Sequence, residues 1–282
     1  MSTPTLTLND GHIIPAIGFG TYPLVGVDGY RAVRSALDAG YRLIDSAVNY
    51  ENEGTVGKAI RDFLRESGTP REDLTVQTKI PGRHHDTARA VKSGYESAAR
   101  LGLDQIDVLL IHWPNPITGK YLDAWRGLVE LRQQGIARSI GVSNFTAPLL
   151  HEIIEGIGVT PALNQIELHP LFIQKAMRAE HAKLGILTES WSPLGKRNAP
   201  YATAAVADAA AAHGVSPAQV VLRWQVQLGN VSIPKSATPE RQVANLDVFG
   251  FALTEPEMAA ISALDTPDGR LFGGDPATHE EM

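Results

Sequence analysis

Apolar and polar residues alternate through TLTLNDGHIIP on both sides of Asn9, Asp10 and Gly11. That pattern predicts a β-hairpin over residues 1–15, set as a lid or plug at the start of the chain. Beyond it the pattern changes to eight short β-rich runs, at residues 16–20, 41–46, 74–79, 107–112, 137–143, 162–167, 185–190 and 231–235, separated by segments of helix length. Asp28 ahead of YRAVRSALDAG with Gly40 as a stop marks one helix. Ser216, Pro217 and Gln219 mark another as N-cap, first-turn proline and capping-box partner, and the alanine run 202–214 reads as a third.

Alternation of strand and helix allows an open doubly wound sheet or a closed barrel, and eight strands in 282 residues favour closure. The expected fold class is therefore α/β, a (β/α)8 TIM barrel with an N-terminal β-hairpin. No linker, low-complexity tract or repeat divides the chain, so one domain spans 1–282, with a tail at 265–282.

Charge and composition narrow the function. A net charge of −6 spread along the chain argues against electrostatic binding of nucleic acid. No apolar stretch is long enough to span a bilayer, and MSTPTLTLNDGH lacks a basic region followed by an apolar one. The expectation is a soluble, unexported, cytoplasmic protein, monomeric because no strongly apolar exposed stripe stands out. With no cysteine, disulfides, thiolate nucleophiles and Cys-liganded zinc are excluded. A dinucleotide-binding G-x-G-x-x-G is also missing, since the nearest candidate, Gly18-Phe19-Gly20-Thr21-Tyr22-Pro23, fails at its third glycine.

In a barrel of this kind, chemistry gathers at the C-terminal ends of the strands. Those ends are polar here: Asp45 with Tyr50 five residues on, Lys79, His112 and Trp113, Ser143 and Asn144, Gln165 and Glu167, Glu189 to Trp191, and Lys235 with Ser236. Burying Asp, Lys, His and Tyr at adjacent strand ends is costly unless they satisfy one another. A tyrosine beside an ammonium has its pKa lowered, a carboxylate keeps that ammonium charged, and a histidine can orient a carbonyl oxygen toward the phenol. Asp45, Tyr50, Lys79 and His112 together suit proton donation to a carbonyl undergoing reduction.

The strings GFGTY, IDSAVNYENEG, LLIHWP, GVSNF, NQIELHP, SWSPLG and IPKSATPERQVANL, with TK at 78–79, resemble the aldo-keto reductase family in order and over nearly the whole chain. The LDQIDVLLIHWPNP segment, the length and the short tail are most similar to the prokaryotic branch that includes 2,5-diketo-D-gluconate reductases. The resemblance implies Tyr50 as proton donor, Lys79 and Asp45 tuning it, His112 orienting the carbonyl, and NADPH across the barrel mouth. Ser143, Asn144 and Gln165 offer groups for a nicotinamide carboxamide, and Trp191 offers a stacking face. Lys235, Ser236, Thr238 and Arg241 gather cations and hydroxyls at a helix N-terminus, which suits the 2′-phosphate of NADPH.

By resemblance alone, Gly20, Thr21 and Tyr22 border the nicotinamide ribose, Leu194 the pyrophosphate and Asn245 the adenine; Arg270 is expected near the adenosine end because the tail after the last helix must pass near the strand-eight loop. Tyr22 and Trp113, with Leu271 and Phe272, are expected as walls of a small-molecule carbonyl site. Two departures stand out, Ala244 where many relatives carry an acid and Ile80-Pro81-Gly82 where many carry a tryptophan.

The expected activity is NADPH-dependent reduction of aldehydes or ketones, small dicarbonyls or keto-sugar-like compounds, to alcohols. Two other readings compete: an NADPH-binding redox sensor or partner-binding protein on the same fold, and a Schiff-base aldolase using Lys79 or Lys235. Metal hydrolysis is weaker, because no H-x-H or H-E-x-x-H spacing occurs.

Overall fold

The structure is a computed structural model and describes residues 3–281. Met1 and Ser2 of the expected hairpin stretch and Met282 of the expected tail lie outside the described residues. Strands β1 (Thr5–Thr7) and β2 (Ile13–Pro15) pair antiparallel across a loop in which Gly11 takes a φ of 90°. The hairpin is a plug. Its Leu8 and Ile14 are buried among Leu43, Val108, Leu163 and Val231, which line the N-terminal half of the barrel interior, and Asn9 Nδ2 donates to the Pro161 carbonyl at 2.8 Å.

Eight parallel strands follow, one for each predicted run: β3 (Phe19–Gly20), β4 (Leu43–Asp45), β5 (Thr75–Ile80), β6 (Ile106–Ile111), β7 (Ala137–Ser143), β8 (Leu163–Glu167), β9 (Leu187–Trp191) and β10 (Val231–Ile233). They lie side by side in chain order. The sheet closes where Ile17 bridges Ser232 in parallel, with Ser232 N–H donating to Ala16 O, and Gly18 N–H to Ser232 O, both at 2.9 Å. A Cβ on Gly18 would collide with Leu43 and Ile233, so the closing seam requires glycine there.

Helices α1 (Gly26–Ala39), α2 (Glu53–Ser67), α3 (Thr87–Leu101), α4 (Tyr121–Gln133), α5 (Ala147–Ile157), α6 (Lys175–Leu184), α7 (Ala204–His213), α8 (Pro217–Gln227), α9 (Pro239–Leu246) and α10 (Glu255–Ser262) fill the connections. Gly40 ends α1 in the left-handed conformation, and Ser216 with Gln219 forms the expected capping box of α8. The start of α1 differs from expectation. The helix begins two residues before Asp28, whose carboxylate then lies in the first turn, where it complements the helix dipole without capping. Among the described residues no helix is long and apolar enough to cross a membrane.

Because the sheet is closed, alternate residues of each strand face the helices and the barrel axis. Leu109 and Ile111 pack in the outer core with Ile44 and Val76, whereas Val108 and Leu110 face inward with Leu43, Leu163 and Val231. Two residues past Leu43, Leu163 and Leu187 stand Asp45, Gln165 and Glu189, which carry the same inward register. The interior thus changes from an apolar layer above the hairpin to a polar layer below the mouth.

Candidate active site

In the polar layer, β5 contributes Gln77 and Lys79, two residues apart and on one face. Asp45 is paired in register with Gln77 across β4 and β5. Lys79 is fully buried, and its ammonium spends its three protons on Asp45 Oδ1 at 2.6 Å, the Ser46 carbonyl at 2.9 Å and the Tyr50 hydroxyl at 3.4 Å. Tyr50 ends a short 3-10 turn over Val48–Tyr50. Asn52 anchors that turn: its amide donates to the carbonyls of Thr21 and Leu24, and its oxygen accepts from Ser46 Oγ at 2.7 Å. The His112 ring packs edge-on against Tyr50 with centroids 5.6 Å apart. All four predicted tetrad residues therefore meet at one point of the mouth.

Under them lies a second carboxylate, Glu189, fully buried. The Gln77 amide nitrogen donates to Asp45 Oδ1 at 2.8 Å and Glu189 Oε2 at 2.6 Å, and the Gln165 amide nitrogen bridges the same two acids at 3.2 and 2.6 Å. Two carboxylates against one ammonium leave this dry layer one positive charge short. Burial and the charge of Asp45 accordingly push the Glu189 carboxyl well above the usual range, against the pull of the two amides and Lys79. Burial alone would discharge Lys79, but Asp45 and Tyr50 outweigh it and raise the ammonium to about 12.

Tyr50 departs from expectation. Burial lifts its phenol to about 12, and this outweighs the lowering by Lys79. The ammonium restrains the shift without reversing it.

The other candidates are arrayed around the rim. Asn144, with a φ of 62°, donates to the His112 carbonyl at 3.0 Å and accepts from Trp191 Nε1 at 2.8 Å, which fixes the half-buried indole as a platform. Ser143 Oγ donates to the Gln165 carbonyl at 2.8 Å. The Gln165 amide nitrogen points into the barrel toward the two acids, so of the expected amide and hydroxyl trio its side chain is turned inward. Thr21 is buried, its hydroxyl without a partner among the described residues, beside Gly20, where a Cβ would press on Ile233. Tyr22 is half exposed, its ring 5.1 Å from that of Tyr50, and Leu194 packs against the core beside the mouth.

At the start of α9, Ser236 Oγ accepts from the Thr238 N–H at 3.1 Å, while Thr238 sits at the N-cap with no side-chain bond to the helix. Among the described residues neither Lys235 nor Arg241 has a carboxylate partner. Both are exposed, and Asn245 on the same helix is buried. An uncapped helix start flanked by two unpaired cations is suited to an anion.

The segment after α10 brings the expected wall residue Phe272 to the mouth, but the paths of Arg270 and of the last residues were missed by sequence reasoning. It runs from Leu171 along the mouth, where Leu271 N–H donates to Glu167 Oε1 at 2.6 Å and Phe272 packs 5.9 Å from Trp191. Arg270 stacks on Phe172 and donates to the Gly274 carbonyl, on the β8 side, where the expectation had it reach toward α9. Farther on, His279 stacks on Trp113 at 4.2 Å, and Glu281 Oε1 lies 2.7 Å from His112 Nδ1. No periodicity marks these tail residues; only the absence of a bulky side chain at Gly82, where they dock, was visible beforehand. Gln77 and Glu189 carried a signal, since both lie two residues from an inward-facing strand position.

The aldo/keto reductase family model matches residues 16–266. A 2,5-diketo-D-gluconic acid reductase B of Corynebacterium sp. (strain SHS752001) is 55% identical over 279 residues, 99% of each chain. An aldo-keto reductase of Mycobacterium sp. (strain MCS) is 49% identical and covers 98% of this chain and 95% of its own. Among solved structures, the apo form of Gox0644 superposes with a TM-score of 0.93 at 40% identity, covering 99% of this chain and 100% of that one, and a variant of the same protein was solved in complex with NADPH. A Bombyx mori aldo-keto reductase in complex with NADP has a TM-score of 0.88 at 34% identity, over 94% of each chain.

The charge imbalance beneath Lys79 has a measurable consequence. A carboxyl whose pKa is raised by folding binds more protons in the native than in the unfolded protein between the two pKa values, so it lowers stability as pH rises through that window. Glu189→Gln removes this penalty. Calorimetric melting should show the variant gaining on wild type by roughly a few degrees as the pH rises from about 4.5 to about 7. A difference independent of pH would mean that Glu189 ionises as an ordinary carboxylate.

Proposed function

The chain belongs to the aldo/keto reductase family, and from that premise we propose that it reduces small dicarbonyl or keto-sugar-like compounds with NADPH, Tyr50 supplying the proton. The observation that carries this reading is the three-way use of the Lys79 ammonium, held by Asp45 and Ser46 and aimed at the Tyr50 hydroxyl.

When bound, NADPH supplies the hydride from nicotinamide C4. The residues present fit it: Trp191 offers a fixed ring face, the unpartnered Thr21 hydroxyl lies beside Gly20 and Tyr22, and Ser143 and Asn144 line the adjoining strand end. Lys235, Ser236, Thr238 and Arg241 would hold the 2′-phosphate, with Leu194 along the pyrophosphate and Asn245 toward the adenine.

The protein's own chemistry follows from the site. Burial keeps the Tyr50 phenol protonated at neutral pH, and the Lys79 ammonium, which pulls its pKa down, limits how weak an acid burial makes it. As the carbonyl oxygen gains negative charge, Tyr50 passes its proton to that oxygen, and the phenolate left behind faces the ammonium of Lys79. Asp45 and Ser46 hold that ammonium in place, so no side chain has to reorganise at that moment. Among the described residues His112 Nε2 has no protein partner, which leaves it for the substrate oxygen. Tyr22 and Trp113 flank this position as walls.

The Schiff-base alternative on Lys79 loses support, because an amine nucleophile must be uncharged and this ammonium is raised to about 12. A sensor reading would call for a broken tetrad, and the four side chains are intact and in contact.

Tyr50→Phe should lower the rate of NADPH oxidation with a dicarbonyl substrate by about 10²–10⁴-fold and leave NADPH affinity within about twofold, read by tryptophan quenching. Near-normal turnover in that variant would remove Tyr50 from the mechanism. Arg241→Ala should raise the KM for NADPH by about tenfold or more while hardly moving that for NADH. Equal effects on the two cofactors would displace the phosphate from α9.

A further inference from the structure

Glu281 brings a carboxylate into the mouth, where three groups face it. His112 Nδ1 lies 2.7 Å from Oε1, Asn49 Nδ2 donates to Oε1 at 2.8 Å, and the Gly82 N–H donates to Oε2 at 3.4 Å. Arg83 donates to the Asn49 oxygen and so turns the Asn49 amide nitrogen toward Glu281. The main chain is held as well: Asn115 Nδ2 donates to the Glu281 carbonyl at 2.6 Å, and the Glu281 N–H donates to Asn115 Oδ1 at 3.0 Å. Gly82 makes the approach possible, since a Cβ there would clash with both Asn115 and the Glu281 carbonyl. Burial would raise the Glu281 carboxyl, yet the bonds from His112, Asn49 and Gly82 hold it below the usual range.

We propose that His112, Asn49 and the Gly82 amide form a carboxylate cradle, filled by Glu281 in place of a substrate carboxylate, so that an oxo acid binds by displacing the tail. This rests on the reading of the chain as a carbonyl reductase for its substrate class, while the cradle itself rests on the donors just named. Two carboxylates cannot share those donors, because like charges at that distance repel strongly. Displacement is feasible because residues 264–281 form neither helix nor strand. Their last attachments are the His279 ring on Trp113, Glu280 on the Ile117 and Thr118 amides, and the Asn115 pair. Breaking these contacts frees a terminal segment that belongs to neither the sheet nor the helices, so it opens without unfolding the barrel. Neutral carbonyl compounds of modest size have no group that needs the cradle, and the tail stays in place for them.

The test is calorimetric titration of benzoate, with benzamide as its uncharged counterpart, into the protein saturated with NADP+. Wild type is compared with Glu281→Ala, which removes the occupant, and Gly82→Ala, which retains Glu281 but blocks its docking. Benzoate should bind about tenfold or more tightly to both variants than to wild type, with benzamide unchanged. In turnover, the kcat/KM ratio of 4-carboxybenzaldehyde to 4-formylbenzamide should rise by a similar factor. Equal benzoate affinity in all three proteins, or an equal gain for benzamide, would overturn the cradle. Loss of turnover with both aldehydes in wild type, while benzoate still discriminates the variants, would overturn the reductase reading and leave the cradle standing.

Discussion

A lysine ammonium sealed inside a barrel sets the terms for everything at the mouth of this protein. Lys79 has no access to water, and an unpaired charge in that position would cost more than the fold could bear. Three oxygens satisfy it, and each comes with its own scaffold. Asp45 lies in register on the neighbouring strand, the Ser46 carbonyl follows directly, and Tyr50 arrives through a short turn that Asn52 locks to the preceding loop. Displacing any one of them would disturb the other two, which ties a loop tyrosine to the strand that carries the lysine.

The same constraint extends downward. Charge balance around Lys79 involves Glu189 as well as Asp45, with Gln77 and Gln165 spacing the two acids. The barrel therefore has two interiors, an apolar one sealed by the hairpin and a polar one that supports the reacting groups. Desolvation raises the partly buried Tyr50 phenol and the fully buried Glu189 carboxyl alike, because it disfavours the charged form of either acid, while Asp45 and Tyr50 keep the lysine charged. A proton is thus stored where a carbonyl oxygen would need it, and the cation that steadies the resulting phenolate is already in position.

Much of this was legible in the residue order. Eight β-rich runs became eight strands because the 2-residue and 3.6-residue periods rarely mimic each other over a whole barrel, and the tetrad was visible because polar residues closing apolar strands demand an explanation. The direction of the Tyr50 shift was not legible, since Lys79 and burial oppose each other and only the arrangement in space decides between them. That the Gln165 amide nitrogen bridges the two acids was not legible either, since it follows from strand register. Arg270 and Glu281 lie in a segment without periodicity, where contacts at long sequence separation, to Phe172, Gly82 and Asn115, set the path.

The account depends most on Tyr50 retaining its proton beside a charged lysine. The direct measurement is carbon NMR of the protein with 13C at tyrosine Cζ, titrated in alkali, with the Tyr50 resonance assigned by its loss in the phenylalanine variant. The account predicts that this resonance stays at the neutral phenol position through about pH 10, in keeping with a pKa of about 12. Titration below about pH 9 would contradict it, because the ammonium would then have overcome burial and the phenol would be partly ionised before any substrate arrived.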